Sequence, residues 1–207
     1  MDEKLKNIIQ QAEQGDIEAM TVAGDCFLRG IFTDKDAEKA HFYYKMAADA
    51  GEAKSSFTMA IYLYNKDRKN SIKYLQYAAD HGVAHAQYML ALLYDSGEVG
   101  FFGKKQKAMK YFEMSARQGV AKAQIELFEM IVKDKSSKYT LDDMIFWLVC
   151  AYLHTAEKDA EEHKIAMNQL NHLISVGVSG GRERIDKVIE NVKNNYPQYL
   201  ITPPPTD

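Results

Sequence analysis

The sequence has few of the features that mark a disulfide-bonded or membrane-spanning protein. It holds only two cysteines, Cys26 and Cys150, which are far apart and form no CxxC motif. This count excludes a disulfide framework and predicts two free, buried thiols. No stretch approaches the roughly 18 apolar residues of a membrane span, and the start, MDEKLKNIIQQAEQGD, lacks the apolar core of a signal peptide. We therefore expect a cytoplasmic protein.

An excess of charge of either sign is also missing. The chain has 26 Lys and Arg against 29 Asp and Glu, which gives a formal net charge of −3. So small a charge provides no strong field for DNA, RNA or an anionic membrane surface, and neither nucleic acid nor membrane is predicted as a partner. The 46% hydrophobic content is that of a folded protein rather than a disordered one.

Catalytic and ligand-binding motifs are lacking as well. The sequence contains no HExxH, no GxSxG and no Cys-His pair with an orienting acid. His81 and His85 have metal-ligand spacing, but Gly82 between them marks a helix break that takes them off a common face. The GVSGGR stretch, residues 177–182, lacks the Gly-Lys-Ser/Thr ending of a phosphate loop and is interpreted as a turn. No catalytic residue, metal site or cofactor is predicted.

What the sequence does contain is an internal repeat. The pattern Ala-x-x-Gly recurs at intervals of about 31 to 37 residues, a period typical of helix-pair repeats. An amphipathic segment with helical spacing precedes the last three copies, and a second helical segment follows each copy. Glycine between them lets a helix end in a left-handed residue so that the chain reverses within two or three residues. The four anchor glycines are Gly15, Gly51, Gly82 and Gly119.

The periodic pattern ends near residue 155. The segment TLDDMIFWLVCAYLH reads as a fifth helix, for which Thr140 and Asp143 predict an N-terminal capping box, and Thr155 stands where the next anchor glycine would be. We predict three regions: a repeat array over 1–155, capping helices over 156–195 and a Pro-rich tail over 196–207 that is extended and is either disordered or lies along the last helices. The residues predicted to face inward on the first capping helix are Ile165, Leu170, Leu173 and Ile174.

The stretches AHAQYMLALLYDSG and AMKYFEMSARQGVAKAQ resemble the Sel-one-like repeat family, whose members are relatives of the tetratricopeptide repeat. The likeness extends over about residues 5–155, although Leu90-Ala91 and Met59-Ala60 depart from the expected Leu-Gly. It implies an all-α fold, an α/α superhelical solenoid of about four helix pairs with a C-terminal helical cap. It also implies a concave face made by the first helix of each pair, used as a non-catalytic scaffold or adaptor that binds another protein.

Given that geometry, the side chains three, six, ten and thirteen residues after each anchor glycine are expected to face a partner. They have an apolar centre and charged ends, as protein interfaces do. The alternative is that Phe57, Tyr88 and Leu92 pack between repeats. The candidate protein-binding residues are Asp25, Lys54, Phe57, Ile61, Tyr64, His85, Tyr88, Leu92, Asp95 and Glu129.

The loop over 97–103 offers a second place for contact. Phe101 and Phe102 lie there between glycines, and they either staple the loop onto the next helix or form an apolar contact for a partner.

Three hypotheses of function follow. The first is a protein-binding scaffold, in a narrower version a bacterial immunity protein that neutralises a toxin domain. The second is a regulatory or signalling adaptor of the same fold. The third is an enzyme that uses Asp25, Asp95 or Glu129 as an acid or base, which requires carboxylates close together or partly desolvated. The sequence implies no oligomeric state.

Overall fold

Helices form all the regular structure that the computed structural model of the chain describes, over residues 2–100, 102–134, 139–156, 161–176 and 180–200. The all-α fold of consecutive helix pairs is confirmed. Among the helices in these ranges, none is long and apolar enough to cross a membrane. The α-helices are α1 (Glu3–Glu13), α2 (Ile17–Arg29), α3 (Ala37–Asp49), α4 (Ala53–Leu63), α5 (Arg68–Asp80), α6 (Ala84–Asp95), α7 (Lys104–Arg117), α8 (Ala121–Lys133), α9 (Leu141–Thr155), α10 (Glu161–Ser175) and α11 (Gly181–Asn195), and a 3₁₀-helix, η1, spans Pro197–Leu200.

The chain divides into two compact units, Met1–Ala86 and Gln87–Pro205, and the division falls inside α6. In the first unit, α2 packs most closely against α3 and α4 against α5. In the second unit, α9 is central and contacts α8, α10, α11 and η1. The predicted boundary at residue 155 stays a prediction, and the packing of the second unit places α9 among the helices on both sides of it.

Each anchor glycine has the backbone conformation that the repeat predicts. The φ angles are +96° at Gly15 and Gly51, +91° at Gly82 and +82° at Gly119. At all four turns, the residue after the glycine donates its N–H to a carbonyl five residues back, as Glu52 does to Ala47 at 2.9 Å. This bond is typical of a helix ended by a left-handed residue, and it satisfies a carbonyl that the helix leaves unpaired. The reversal at each glycine is therefore a local property of the sequence.

Acidic and hydroxyl side chains begin several helices. Asp16 accepts a hydrogen bond from the N–H of Ala19 at 3.0 Å, and Glu52 accepts from that of Lys54 at 3.0 Å. The capping box predicted at α9 is present: the Asp143 N–H donates to the Thr140 hydroxyl at 3.1 Å, and the Thr140 N–H donates to the Asp143 carboxylate at 2.7 Å. Such caps pair backbone N–H groups that have no partner within the helix.

The core of the first unit is built from small residues and aromatic rings. The ring of Tyr43 stacks on Phe27 with centroids 5.7 Å apart, which joins α3 to α2. Tyr44 is buried beside Gly24, and its hydroxyl donates to the Asp25 carboxylate at 2.5 Å. A Cβ on Gly24 would lie only 2.7 Å from Cε1 of Tyr44. Glycine is thus required in the middle of α2 because a buried ring occupies the space of a side chain.

The second unit repeats this aromatic contact. Tyr94 of α6 and Tyr111 of α7 stack with centroids 5.8 Å apart, at the repeat positions that Phe27 and Tyr43 hold in the first unit. Around α9, the completely buried side chains Ile145, Leu148 and Cys150 form the centre of the core. Both Cys26 and Cys150 are free and buried, as predicted, and burial raises the pKa of Cys150 to about 12. Neither thiol is positioned to react.

Near the C-terminus, one sequence prediction is wrong and a second holds only in part. Ile165 is 36% exposed, because α10 turns the neighbouring Ala166 toward the core instead, while Leu170 is buried as predicted. Leu173 and Ile174 are partly buried against that core, as expected. The start of the tail is not extended, since residues 197–200 form η1, but η1 packs on α7, α9 and α11, in agreement with the alternative that the tail lies along the last helices. The remaining predicted tail residues, 201–207, lie outside the described part of the chain.

Replacing Gly24 by Ala is expected to destabilise the protein. Alanine in a helix interior normally gains about 1 kcal/mol over glycine, but the clash with the rigid Tyr44 ring is expected to cost about 1–3 kcal/mol. The free energies of unfolding from urea titration measure the difference.

A double variant tests the cause of this loss. The next repeat has Ala60 and Leu75 at the positions of Gly24 and Tyr44. Combining Gly24→Ala with Tyr44→Leu should therefore cost less than the sum of the two single changes. Additive costs would show that the Tyr44 ring is not the obstacle.

Candidate protein-binding surfaces

The first unit carries six of the predicted binding residues, on α2, on α4 and at the start of α6. Ile61 is 51% exposed and Tyr64 39%, and Lys54 is exposed beside them on α4. Asp25 is half-buried on α2 and holds the Tyr44 hydroxyl. The Thr21 and Ser55 hydroxyl oxygens lie 3.4 Å apart, which places α2 next to α4 on this face. Ile61, Tyr64 and Lys54 are thus exposed, and their use in binding stays a prediction.

Phe57 is not part of that surface, contrary to the prediction. Only 4% of it is exposed, so it packs between helices, as the alternative interpretation had it. Its ring lies under the half-buried His85 with centroids 6.5 Å apart, and burial lowers the pKa of His85. Phe57 therefore packs beneath the surface, and of these two residues only His85 is exposed enough to contact a partner.

The ring of Tyr64 is held by a neighbouring cation. The guanidinium carbon of Arg68, at the start of α5, lies 3.8 Å from the Tyr64 ring centroid. Contacts of this kind are worth about 0.5–1 kcal/mol at exposed sites. A partly ordered, exposed tyrosine loses little rotamer freedom when a partner covers it, which favours its use as a binding residue.

The second unit carries the other four predicted residues on α6 and α8. Tyr88 and Leu92 are half-buried, and the Tyr88 ring centroid lies 5.9 Å from that of Phe112. Asp95 is exposed at the end of α6. Glu129 is half-buried on α8 and accepts a hydrogen bond from Lys133 at 3.2 Å. Tyr88 and Leu92 thus both pack within the unit and keep part of their surface exposed.

Two further carboxylates, which the sequence prediction missed, lie near Tyr88. Burial raises the pKa of Glu126, and the charges of Glu129 and Asp95 raise it further. Burial also raises the pKa of Tyr88, with smaller contributions from Glu126 and Glu162. Glu126 is next to Ile125, which is buried although it lies six residues after an anchor glycine, where the repeat predicts an outward side chain. Glu162 is on α10, which the sequence predicts to be a capping helix. No signal in the repeat pattern points to either residue.

The enzyme hypothesis is only partly met by this arrangement. Asp95 and Glu129 lie close enough to Glu126 to raise the pKa of its carboxyl group, so carboxylates are close together as the hypothesis requires, but the perturbed group is Glu126, which the hypothesis does not name. Asp25 belongs to the other unit. Among the residues with described positions, no group of three or more His, Cys, Asp or Glu side chains could hold a metal ion. Crowded carboxylates equally suit a surface that binds a basic partner.

The loop over 97–103 is held differently from the staple prediction. Phe102 is 90% exposed and does not pack onto α7, whereas Phe101 lies outside the described residues. Lys104 at the start of α7 donates instead to the carbonyl of Gly97 at 3.2 Å. Phe102 is thus exposed as the contact alternative expects.

An open cleft of about 700 Å³ lies elsewhere in the second unit, between α7, α9, α11 and η1. Its walls combine aromatic rings with charged groups, and Arg184 pairs with Asp142 across 2.6 Å. The sequence prediction did not include it, because its walls come from segments assigned to three different regions. The residues that line the cleft include Glu113, Arg117, Asp142, Asp143, Trp147, Arg184, Lys187, Asn191, Tyr196 and Tyr199.

Residues 17–52, 61–83 and 84–120 match the sequence pattern of the Sel1 repeat. Three segments of the chain are Sel1 repeats. The segments 17–52 and 84–120 each begin at the helix after an anchor turn and end at the next such turn. In this frame α2 and α6 are the first helices of their repeats, and α4 and α8, which also follow an anchor turn, are the first helices of theirs. Most of the predicted binding residues therefore lie on first helices. The anchor pattern by itself makes the helix after each glycine the second of its pair, which is the opposite assignment.

Known Sel1-repeat proteins resemble this chain in sequence and in fold. The putative sel1-like repeat-containing protein L21 of Acanthamoeba polyphaga mimivirus is 30% identical over 127 residues, which are 60% of this chain and 23% of that protein. This chain thus spans less than a quarter of that relative's length. The Sel1 repeat is typically a protein-interaction scaffold.

Solved structures are similar to this chain as well, among them one from Oxalobacter formigenes and one from Escherichia coli. A Sel1 repeat protein from Oxalobacter formigenes is 27% identical, with a TM-score of 0.54 over 61% of this chain and 98% of that one. The protective antigen c5321 of uropathogenic Escherichia coli, which has an SLR fold, is 18% identical, with a TM-score of 0.57 over 93% of this chain and 49% of that one. The second likeness concerns the fold alone.

The Glu126→Gln variant is expected to be more stable than the wild type at neutral pH. The pKa of Glu126 is raised above its ordinary value of 4.5, so its ionised form costs the folded state free energy. This cost is present above the raised pKa and disappears as the pH falls below the ordinary value. The difference in unfolding free energy between variant and wild type should therefore be positive at pH 7 and close to zero near pH 4.

The exposed Glu190 on α11 provides the control. Glu190→Gln should leave the free energy of unfolding unchanged at both pH values. A Glu126→Gln effect that does not depend on pH would contradict the electrostatic explanation.

Proposed function

We propose that the chain is a non-catalytic scaffold that binds another protein on the first helices of its Sel1 repeats. The observation that carries the proposal is the exposure of Ile61 and Tyr64 on the α4 face. The aromatic residues that join the helices, such as Tyr43 and Tyr111, are buried. Ile61 and Tyr64 are therefore not needed for packing between helices, and contact with a partner would explain their exposure.

The surroundings of this pair resemble an interface on a small scale. Lys54 and the half-buried Asp25 provide charges around the apolar side chains. Interfaces commonly combine a covered apolar centre with a hydrated polar rim, and tyrosine is frequent among residues that dominate affinity. Ile61 and Tyr64 are proposed as the centre, with Lys54 and Asp25 at the rim.

The carboxylates around Tyr88 in the second unit favour a partner segment that carries positive charge. Asp95, Glu126, Glu129 and Glu162 all lie near enough to Tyr88 or to one another to affect a pKa. Lys122 offsets part of this charge through a 3.6 Å ion pair with Glu162, as Lys133 does for Glu129. A lysine or arginine from a partner would relieve the remaining repulsion. Such binding weakens as salt screens the charges.

An affinity pull-down from the native cell tests the proposal. A stoichiometric partner should be lost, or bound at least about tenfold more weakly, on changing Tyr64 or Tyr88 to Ala, because central aromatic residues contribute about 2 kcal/mol or more. Isothermal titration with the purified partner measures the change. The matched control is Phe42→Ala, which removes a more exposed aromatic ring from α3, the second helix of the preceding repeat.

Retained binding in both tyrosine variants, with unchanged helical circular dichroism, would place the interface on another face. A small-molecule product formed from a cell extract, and lost in Glu126→Gln, would support the enzyme hypothesis instead.

The partner's identity distinguishes the immunity version of this function from the adaptor version. If the partner is a toxin domain, expressing the chain should protect cells from the toxin encoded beside it, and Tyr64→Ala or Tyr88→Ala should remove that protection. If the partner is a regulatory or signalling protein, survival should not depend on the chain in the presence of such a toxin.

A further inference from the structure

The chain turns back on itself after α11, and the short helix η1 packs on the second unit. Tyr199 is the main contact: its ring stacks on Trp147 of α9 with centroids 5.8 Å apart and on Tyr196 at 5.6 Å. Phe146 meets Tyr199 edge to face at 6.1 Å. Pro197 and Gln198, between the two tyrosines, are exposed. The segment over 196–200 is therefore attached mainly through aromatic rings.

Two polar side chains of the repeat helices hold Tyr199 at specific atoms. Arg117 Nη1 donates to the Tyr199 hydroxyl at 2.9 Å, and the guanidinium is itself held by Glu113 at 2.7 Å. Gln124 Nε2 donates to the main-chain carbonyl of Tyr199, also at 2.9 Å. Gln124 is fully buried in α8, at 0% exposure, where an amide needs partners. The body of the unit thus recognises a hydroxyl, a ring and a carbonyl.

The residues that stand one repeat earlier, at the positions of Gln124 and Trp147, contact other side chains. Gln87 stands at the position of Gln124 one repeat earlier, and its amide oxygen accepts from the side chain of Gln118 at 2.8 Å. Tyr111 stands at the position of Trp147 and stacks on Tyr94. The residue corresponding to Tyr94 before Trp147 is Ile131, which has no ring to offer. Tyr199 therefore supplies a ring that the repeat helices do not supply to Trp147, and its carbonyl shares Gln124 Nε2 with the Ala116 carbonyl, which accepts at 3.1 Å.

The cleft extends beyond what η1 fills. Its open part is lined by polar groups of α9 and α11, among them Asp142, Lys187 and Asn191. The lining includes cations and carboxylates in similar number, so it does not select for a strongly charged ligand. A longer peptide segment would find both space and hydrogen-bonding groups there.

We propose that this cleft binds a tyrosine-bearing segment of a partner protein, and that residues 196–200 occupy it in the free chain. The occupant's chemistry follows from the contacts: a ring for Trp147, a hydroxyl for Arg117 and a main-chain carbonyl for Gln124. A single turn of 3₁₀-helix has little stability of its own, so its attachment depends on these contacts and can be exchanged. The cleft is separate from the α6 and α8 surface, and the inference does not depend on the proposed function.

The chain's own segment competes with the partner. Because it is tethered, its effective concentration is high, and the partner's apparent affinity is reduced by the fraction of molecules with an open cleft. Weakening the internal segment should therefore tighten binding of an external one, the opposite of what loss of a purely structural contact would do.

Trp147 allows a direct test, because it is the only tryptophan in the chain. The probe is a synthetic peptide with the sequence NNYPQYL, residues 194–200, titrated into the full chain while Trp147 fluorescence is recorded. Tyr199→Ala is expected to bind the peptide saturably and about tenfold or more tightly than the wild type does. A peptide whose second tyrosine is replaced by alanine should not bind.

Further variants show whether the cleft itself is responsible. Adding Arg117→Ala to Tyr199→Ala should abolish the response to the peptide, whereas adding Arg182→Ala should not, since Arg182 is an exposed arginine of α11 outside the cleft lining. If Tyr199→Ala fails to fold by circular dichroism, Tyr199→Phe keeps the ring and removes only the bond to Arg117, and it should still bind the peptide more tightly than the wild type.

Three results would overturn the proposal. The first is equal peptide affinity in the wild type and the Tyr199 variants. The second is a folded Tyr199→Ala protein that gives no saturable response. The third is a concentration-dependent dimer of the wild type that Tyr199→Ala abolishes in sedimentation, which would identify a second copy of the chain as the occupant.

Discussion

The structure depends on the reversal of the chain at the glycine after each Ala-x-x. A helix can end there in a left-handed residue without steric cost, and the following N–H closes back onto a carbonyl five residues earlier. This local bond turns the next helix back so that it packs against its neighbour. The aromatic contacts that join the helices, Phe27 with Tyr43 and Tyr94 with Tyr111, follow from that placement.

A repeat that packs through buried alanines and rings leaves its outward positions free to vary. Ile61 and Leu92 occupy the position that Asp25 holds on α2 and Glu129 on α8, so one register position is apolar in two repeats and acidic in two others. Their exposures differ because neighbouring side chains differ, while the buried positions stay alike. Binding chemistry can thus change from repeat to repeat without a change in the packing that keeps the helices together.

The two candidate regions of the second unit have different characters. Around Tyr88, carboxylates of α6, α8 and α10 accumulate and raise the pKa values of Glu126 and Tyr88, which favours cationic partners. In the cleft, charges are balanced and the contacts are aromatic stacking and single hydrogen bonds to Tyr199. One region favours binding through charge, and the other through the shape and hydrogen-bonding groups of a segment.

The sequence by itself determined the helices, their turns and the capping box at Thr140, because these depend on residues only a few positions apart. It also identified Ile61 and Tyr64 as exposed, since their register position is set by the nearest glycine. Only the tertiary structure decided that Phe57 is buried under His85, that Glu126 and Glu162 lie near Tyr88, and that Tyr199 reaches Trp147 and Gln124. These depend on which helices meet and how closely, and no local pattern contains that information.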